Sequence, residues 1–176
     1  AQGIPDGTPA SAQAFEVTDN INARPPIWVL GPVRATPFLA TSPGGVSPAK
    51  VRHAYGFDQI TGDGTGQTIA IVDAYGSPTA ANDLAVFSTA FGLPAAQLKV
   101  YYPSGKVNNL NSGWALETSL DLQWAHAIAP KAKLALIVAK SASLSNLLAA
   151  VDYAVKTVGA KQVSMSWGSS EFSSEA

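Results

Sequence analysis

Four apolar runs alternate with helical segments along the chain, and this alternation constrains the fold more than any other feature of the sequence. The first run, residues 67–73, is a continuous series of β-branched and apolar residues, which is typical of a strand covered on both faces. The later runs lie at residues 98–102, 133–139 and 161–168. Strands that alternate with helices predict right-handed crossovers and a parallel sheet between two layers of helices. We therefore expect an α/β fold with three layers, of which this sequence contains about four strands.

The first 45 residues differ from this pattern because they are rich in Pro, Gly, Ala, Ser and Thr. Repeated prolines and the pair Gly44-Gly45 interrupt any helix or strand period, so we expect residues 1–45 to form an extended arm. The apolar residues at 27–30 and 38–39 predict that this arm docks on a domain surface. The domain itself is placed at residues 46–176, where it begins with a helix capped by Ser47.

The predicted helix at residues 113–130 contains two acids, Glu117 and Asp121, that are one helical turn apart. Helical spacing predicts a buried stripe with these acids at its edge, formed by Leu116, Leu120 and Ala127. Like charges at this spacing destabilise a helix by roughly 0.2–0.5 kcal/mol, and this helix has no Lys or Arg before Lys131 to offset them. The two acids are therefore either solvated groups near a helix N-terminus, where the helix dipole favours them, or a coupled pair.

A coupled pair of carboxylates has a chemistry of its own. Two carboxylates beside an apolar face raise each other's proton affinity, so that one stays protonated while the other orients it. Such a pair suits general acid and base catalysis below neutral pH. Glu117 and Asp121 are therefore the candidate catalytic residues.

Further candidates lie at the carboxyl ends of the predicted strands, where open α/β sheets place their sites. Asp73 ends the first strand and is a functional candidate by position alone, with a helix-capping or loop acid as the alternative. Ser166, Trp167 and Gly168 end the fourth strand, where main-chain groups are predicted to pair with an extended peptide. Gly168 lets that peptide approach closely. Trp167 offers an indole N–H near the acids or serves only in packing.

Three segments together resemble the sedolisin family of serine-carboxyl peptidases, which is related in fold to subtilisin: GWALETSLDLQWAHAIAP at residues 113–130, KLALIVA at 133–139 and VSMSWG at 163–168. The resemblance extends from about residue 47 to the end of the chain. It implies an acid-acting endopeptidase in which Glu117 is the general base for a serine nucleophile and Asp121 supports it. It also implies a supporting network that includes Asp73 and Trp167, and a substrate-binding edge formed by Ser166, Trp167 and Gly168.

The sequence departs from the family in two motifs. The family's nucleophile lies in a Gly-Thr-Ser segment and its oxyanion-stabilising aspartate in a Ser-x-Gly-Asp segment, and neither occurs in residues 1–176. We therefore expect a C-terminal fragment of the same precursor as a partner, with the polar segment 169–176 as a processing point. The resemblance also implies a calcium ion whose ligands lie on that fragment, and a peptide or protein substrate. We assign no metal ligand on this chain.

Composition limits the alternatives. The net charge is -1 and only 13% of residues are charged, and no basic patch indicates nucleic acid or an anionic membrane as a partner. Cysteine is absent, and no apolar run approaches the ~20 residues of a membrane span. The sequence begins without Met, which favours a secreted protein whose signal peptide has been removed. A non-catalytic peptide-binding module, or an unrelated open-sheet domain that binds a small ligand, remains an alternative to the peptidase.

Overall fold

The structure is a computed structural model, and it describes residues 21–26 and 45–170. All four predicted strands are present in the expected order. In chain order the elements are α1 (Pro48–Ala54), β1 (Thr68–Ala74), α2 (Ala80–Ala90), β2 (Gln97–Tyr101), α3 (Ser112–Ile128), β3 (Lys133–Ala139), α4 (Leu144–Lys156) and β4 (Gln162–Ser164), with a 3₁₀ turn at Phe57–Gln59. The apolar arm residues at 27–30 and 38–39, and residues 171–176 of the predicted processing segment, lie outside the described residues.

The strands form one sheet in the order β2-β3-β1-β4, and every neighbouring pair is parallel. The central strands β1 and β3 are buried on both faces, as their continuous apolar runs predict. One core lies between the sheet and α4 and includes Val72 and Leu147. The other lies between the sheet and the helices α2 and α3, and it includes Ile71, Leu84 and Leu122. The expected three-layer α/β fold is therefore present.

The connection through α3 differs in hand from the others. The β1-α2-β2 and β2-α3-β3 connections run in opposite directions across the sheet, yet α2 and α3 pack on the same face. Two such crossovers must have opposite hands, so the expectation of right-handed crossovers throughout is wrong for one of them. The β3-α4-β4 connection runs in the same direction as β2-α3-β3 but has its helix on the other face. The α3 crossover is therefore the exception, and it places α3 beside α2 and against β1.

Side-chain caps set the first turns of α3 and α4. Asn111 Oδ1 accepts a hydrogen bond from the Trp114 N–H at 3.1 Å, and Ser143 Oγ accepts one from the Asn146 N–H at 3.4 Å. Each cap satisfies a main-chain donor that has no partner within its helix. The Asn111 cap thus starts α3 within two turns of Glu117, close to the carboxyl end of β1.

The fourth strand is shorter than the sequence predicts. Its ladder with β1 covers Gln162–Ser164, whereas the predicted strand extended to residue 168. Ser166, Trp167 and Gly168 therefore lie beyond the end of the sheet. The sequence does not mark this boundary, because apolar and polar residues continue to alternate through Met165 and Trp167.

Candidate functional site

Three carboxyl groups converge where β1 ends beneath α3. Asp73 is the last residue but one of β1 and is fully buried. Glu117, on the second turn of α3, is only 1% exposed, and Asp121 is half-buried one turn further on. The charges of Asp121 and Glu117 both act on Asp73, so the three groups form one electrostatic cluster. The structure therefore brings together the predicted acids from two separate elements.

The rotation of α3 about its axis differs from the prediction. Leu116, which was expected in a buried stripe, is 44% exposed, and Leu120 is only partly buried. The buried face is instead made of Trp114, Glu117, Thr118, Leu122, His126 and Ala127. Apolar residues occur on all sides of this helix, so their spacing does not fix which side faces the core. The expectation that both acids lie at the edge of the buried face is wrong for Glu117, which lies within it.

Burial raises the pKa of Asp73 well above its usual range, and the nearby negative charge of Asp121 raises it further. Neither carboxyl oxygen of Asp73 has a hydrogen-bond partner of good geometry among the described residues. The Thr118 hydroxyl lies close enough to lower the pKa in part, but its hydrogen is donated to the Trp114 carbonyl at 2.8 Å. Asp73 is therefore a group that holds a proton at pH values where an ordinary aspartate has lost it.

Asp121 joins the acid cluster to the segment after β4. Burial raises its pKa, while hydrogen bonds with Ser166 and Glu117 lower it in part. The Ser166 Oγ donates to Asp121 Oδ1 at 2.9 Å. A hydrogen bond between two carboxyl groups requires a proton on one of them, because ionised carboxylates only accept. Glu117 and Asp121 are thus arranged to share a proton, which is the property that a coupled acid and base pair needs.

The Trp167 indole does not donate to a carboxylate in this structure. Its Nε1–H donates to the Val72 carbonyl at 2.8 Å, and its ring packs against the core on the α4 side of the sheet. This hydrogen bond fixes the end of β1 next to Asp73, so Trp167 acts on the cluster through the main chain. Trp167 thus combines packing with a hydrogen bond to the main chain beside Asp73, and its predicted place in a catalytic network stays a prediction.

Gly168 pairs with the arm. Gly168 and Arg24 form an isolated antiparallel bridge, and Asn22 forms a second one with Ser143 at the start of α4. The main chain at Gly168 thus pairs with an extended segment of the same chain, and its predicted pairing with a peptide substrate stays a prediction. A Cβ atom built on Gly168 would have no neighbour within 4 Å, so space is left beside it.

Two features of this region escape the sequence patterns. Tyr75 has a left-handed backbone, with φ of 61°, directly after β1. Such a conformation is costly for a residue with a large side chain and is common at functional sites. The pairing of residues 22–24 with α4 and Gly168 also escapes, because two short bridges leave no periodic pattern. The glycine that follows Tyr75 is the one local hint of a turn here, and Gly76 also has a positive φ, of 69°.

The two histidines within the described residues lie away from the acids. His126, which was predicted to face elsewhere, is buried with its Nε2 2.8 Å from the Pro94 carbonyl oxygen. His53 pairs with Asp58 on the surface at 2.7 Å. Within residues 21–26 and 45–170, no group of three or more potential ligands is arranged to hold a metal ion. No helix in the same part of the chain is both long and apolar enough to span a bilayer.

No protein-family model matches this chain, and neither does any curated protein. Among solved structures, the chain is similar to Pseudomonas sedolisin, a serine-carboxyl proteinase in complex with two molecules of pseudo-iodotyrostatin. The TM-score is 0.52 at 23% sequence identity. The match covers 61% of this chain and 31% of the sedolisin chain. The chain therefore has a sedolisin-like fold, which confirms the expected class: an α/β, subtilisin-like partial domain.

Proposed function

We propose that this chain is the N-terminal portion of an acid-acting serine-carboxyl endopeptidase of the sedolisin family. The single observation that supports this most strongly is the convergence of Asp73, Glu117 and Asp121 at one end of a parallel sheet with a sedolisin-like fold. Buried like charges destabilise a fold, so a stability argument does not account for three of them. A site that handles protons does account for them.

In the proposed mechanism, Glu117 acts as the general base. It takes the proton from a serine hydroxyl as the serine oxygen bonds to the carbonyl carbon of the scissile peptide. The same proton then passes to the leaving amine as the C–N bond breaks. Glu117 next takes a proton from water as the water oxygen bonds to the carbonyl carbon of the resulting ester, and it gives this proton to the serine oxygen as the ester C–O bond breaks and the carboxylic acid leaves. Asp121 is the positioning residue for Glu117. Ser166 supports Asp121 through its hydrogen bond, and Asp73 acts on Asp121 and Glu117 through electrostatic interaction alone.

The serine and the aspartate that stabilises the oxyanion belong, in this proposal, to a C-terminal portion of the same precursor. Within the described residues, no strand pairs with the outer edge of β4. Met165 is exposed just beyond that strand. An open edge of this kind readily accepts another strand. We place the remaining strands, the calcium ion and the serine there, and we propose that the protein acts after secretion.

The pKa shifts support activity in acid. The raised pKa values of Asp73 and Asp121 let the cluster keep at least one proton at pH values where ordinary aspartates are ionised. A shared proton stabilises the geometry of the cluster, since it removes the repulsion between neighbouring carboxylates. We therefore expect the rate of peptide hydrolysis to be greatest on the acid side of neutrality.

A non-catalytic peptide-binding module is the second candidate. The pairing of Gly168 with Arg24 favours this candidate, because binding a peptide by strand pairing requires no catalytic residue. This candidate does not account for the buried acids, because pairing with an extended peptide uses main-chain groups only. The two functions differ in one measurable property, because only a peptidase turns over a peptide substrate.

The test is Glu117→Gln in the protein assembled with its C-terminal portion. This change keeps the side chain's size and removes its ability to accept a proton, so turnover should fall by roughly 10²–10⁴-fold. Cleavage of a fluorogenic peptide is measured, with thermal unfolding as the check on folding. Asp152→Asn is the matched control, because Asp152 is an exposed acid on α4 whose ion-pair partner among the described residues is Lys156 at 2.7 Å. Unchanged turnover in Glu117→Gln would overturn the assignment of the base.

A further inference from the structure

We propose that Thr118 is a further positioning residue of the acid cluster, and that its hydroxyl turns between the Trp114 carbonyl and the Asp73 carboxyl as Asp73 gains and loses a proton. This proposal rests on the proposed function only for its effect on turnover. The hydroxyl and the carboxyl lie together in the structure whatever reaction the protein catalyses. Neither the spacing of the acids nor the resemblance indicates this residue.

Thr118 and Asp73 meet where α3 packs against β1, and both are fully buried. Side chains alternate between the two faces of the sheet along β1, so Asp73 lies on the same face as Ile71, which belongs to the core beneath α2 and α3. Among the described residues, Thr118 is the residue whose side-chain hydrogen bond favours the ionised form of Asp73. A buried hydroxyl without partners is costly, so both its hydrogen and its lone pairs require an account.

The hydroxyl hydrogen of Thr118 has a partner within its own helix. Its Oγ1–H donates to the Trp114 carbonyl at 2.8 Å. A hydroxyl has one hydrogen and two lone pairs, so in this position Thr118 presents only lone pairs to Asp73. Neither carboxyl oxygen of Asp73 has another partner of good geometry among the described residues. A protonated Asp73 can donate to Thr118, whereas an ionised Asp73 would meet it as a second acceptor. The observed position therefore suits the protonated acid.

An ionised Asp73 favours a second position of the same hydroxyl. Rotation about the Cβ–Oγ1 bond of Thr118 directs its hydrogen to the carboxylate and away from the Trp114 carbonyl. That carbonyl keeps a donor, because Trp114 and Thr118 are four residues apart in α3 and the Thr118 N–H is its helical partner. Hydrogen bonds to an ionised group are roughly twice as strong as neutral ones. The hydroxyl thus has one position for each protonation state of Asp73.

Burial distinguishes Thr118 from an ordinary helical threonine. A threonine hydroxyl that donates to the carbonyl four residues earlier is common in helices and by itself indicates no function. Thr89 on α2 makes the same bond, to the Ala85 carbonyl at 2.9 Å, but Thr89 is exposed, so water can satisfy its lone pairs. At the buried position of Thr118, valine would fill the same volume without a polar group. The feature that Thr118 has and Thr89 lacks is a buried carboxyl beside its hydroxyl.

The surroundings of Asp73 otherwise oppose its ionisation. Burial is the first cause, and the negative charges of Asp121 and Glu117 on α3 add to it; no cation among the described residues offsets them. On β3 the residue paired with Asp73 is Val138, which is apolar. Asp83 on α2, the other helix on this face, accepts a hydrogen bond from a threonine of its own helix start at 2.7 Å and is not among the charges that act on Asp73. The Thr118 hydroxyl is therefore the group that makes an ionised Asp73 less costly.

In the proposed mechanism, this hydroxyl helps to set the pH at which the cluster gives up a proton. An ionised Asp73 adds a negative charge beside Asp121 and Glu117 and increases the repulsion among them. Without the hydroxyl, Asp73 should keep its proton to a higher pH. We expect the alkaline limb of the rate profile to move to higher pH by the same amount. The acid limb should stay in place, because Asp73 is already protonated there.

The experiment is a pH titration of the full chain, followed by infrared difference spectroscopy of the protonated carboxyl C=O stretch. The Asp73 band is identified by its loss in Asp73→Asn. Thr118→Val keeps the shape of the side chain and removes the hydroxyl, so the midpoint of the Asp73 titration should rise by roughly one to two pH units. Thr89→Val is the matched control, because it removes the same hydroxyl from the same kind of helical bond and should leave the midpoint unchanged.

Thr118→Ser tests whether the hydroxyl or the methyl group is responsible. Serine restores the hydroxyl and lacks only the methyl group, so its titration midpoint should match that of the unchanged protein. A shift in Thr118→Ser as large as that in Thr118→Val would attribute the effect to packing and overturn the proposal. Thr118→Ala is a second variant without the hydroxyl in case Thr118→Val does not fold. An unchanged midpoint in a folded variant that lacks the hydroxyl would also overturn the proposal.

The titration needs no turnover, so it separates this proposal from the proposed function. In the protein assembled with its C-terminal portion, the alkaline limb of peptide hydrolysis should move in Thr118→Val and stay in place in Thr118→Ser. A shifted titration with an unmoved alkaline limb would overturn the effect on turnover. A merely structural role would change the melting temperature and leave both the titration and the rate profile in place. An assembled protein that hydrolyses no peptide would contradict the proposed function, whereas a shifted Asp73 titration would still support the role of Thr118.

Discussion

Two groups of aspartates in this chain respond to folding in opposite ways. Asp63 and Asp58 lie on the surface, and their pKa values are lowered by hydrogen bonds, chiefly from Thr65 to Asp63 and from His53 to Asp58. Asp73 and Asp121 lie at the carboxyl end of β1, and burial raises their pKa values. The surface pair gains partners on folding, whereas the buried pair loses water.

This contrast shows which interactions the fold uses for stability and which it maintains at a cost. A surface aspartate with Lys131 2.9 Å away, as at Asp63, stabilises the folded state when it is ionised. A buried aspartate without good hydrogen-bond partners, such as Asp73, stabilises it only while protonated. Burial of the acid cluster thus lowers the stability of the folded state. The proposed proton transfer accounts for its presence. Three changes test or sharpen this comparison.

The largest effect is expected from Asp121→Asn in the assembled protein. Asparagine keeps the hydrogen bond to Ser166 possible but cannot share a proton with Glu117 as a carboxyl group does. A hydrogen bond to a charged group contributes roughly 1.5–3 kcal/mol, which corresponds to a roughly ten- to hundredfold loss of kcat/KM. The rate is measured across the acid pH range, where the optimum should also move, because a titrating member of the pair is gone.

A role in stability alone would give a different result for Asp121. Thermal unfolding would then change in parallel with the rate, and the pH of the optimum would stay where it is. Asp152→Asn again serves as the control for the loss of one negative charge on a helix. An unshifted pH profile in Asp121→Asn would contradict the coupling between Asp121 and Glu117.

The second change, Asp73→Asn, tests the cost of the buried acid. The folded pKa of Asp73 is raised, so its contribution to stability is fully present below the unfolded pKa of about 3.9 and is lost as the pH rises through the folded pKa. Asparagine does not titrate, so the fall in unfolding free energy with pH should be shallower by up to roughly 1.4 kcal/mol per pH unit in that window. Urea unfolding at a series of pH values measures this slope. Identical slopes in the two proteins would show that Asp73 does not hold a proton.

Much of the fold is predictable from this sequence because its signals are local. The continuous apolar runs of β1 and β3, and Ser47 and Ser143 as caps, specify elements from neighbouring residues alone. The hand of the α3 crossover is not predictable in this way, since it depends on which face of the sheet α3 packs against. The end of β4 also depends on tertiary pairing, because β1 offers it only three partners from Ile69 to Ile71.

The candidate site is predictable in its residues and not in its arrangement. Glu117 and Asp121 follow from the spacing and from the resemblance, but the rotation that buries Glu117 and exposes Leu116 does not. Rotation depends on how the helix packs against the sheet, and Asp73, on the strand that it packs against, lies 44 positions earlier in the sequence. The pairing of Arg24 with Gly168 at the predicted peptide edge cannot be predicted from the sequence for the same reason. Asn22 pairs with Ser143, and no local pattern links such distant positions.

The smallest effect is expected from Asp63→Asn. The change of this effect on folding stability with pH should be opposite in sign to the change expected for Asp73→Asn. Asp63 accepts hydrogen bonds from Thr65 and pairs with Lys131, so its pKa is lowered on folding. Its stabilisation is therefore present above the unfolded pKa of about 3.9 and lost as the pH falls towards the folded pKa. Asp63→Asn should lower the melting temperature slightly at pH 7, less so in high salt, and not at all in strong acid. Calorimetry at several pH values checks this. A decrease in melting temperature that becomes larger in acid would contradict the contrast between the surface and buried aspartates.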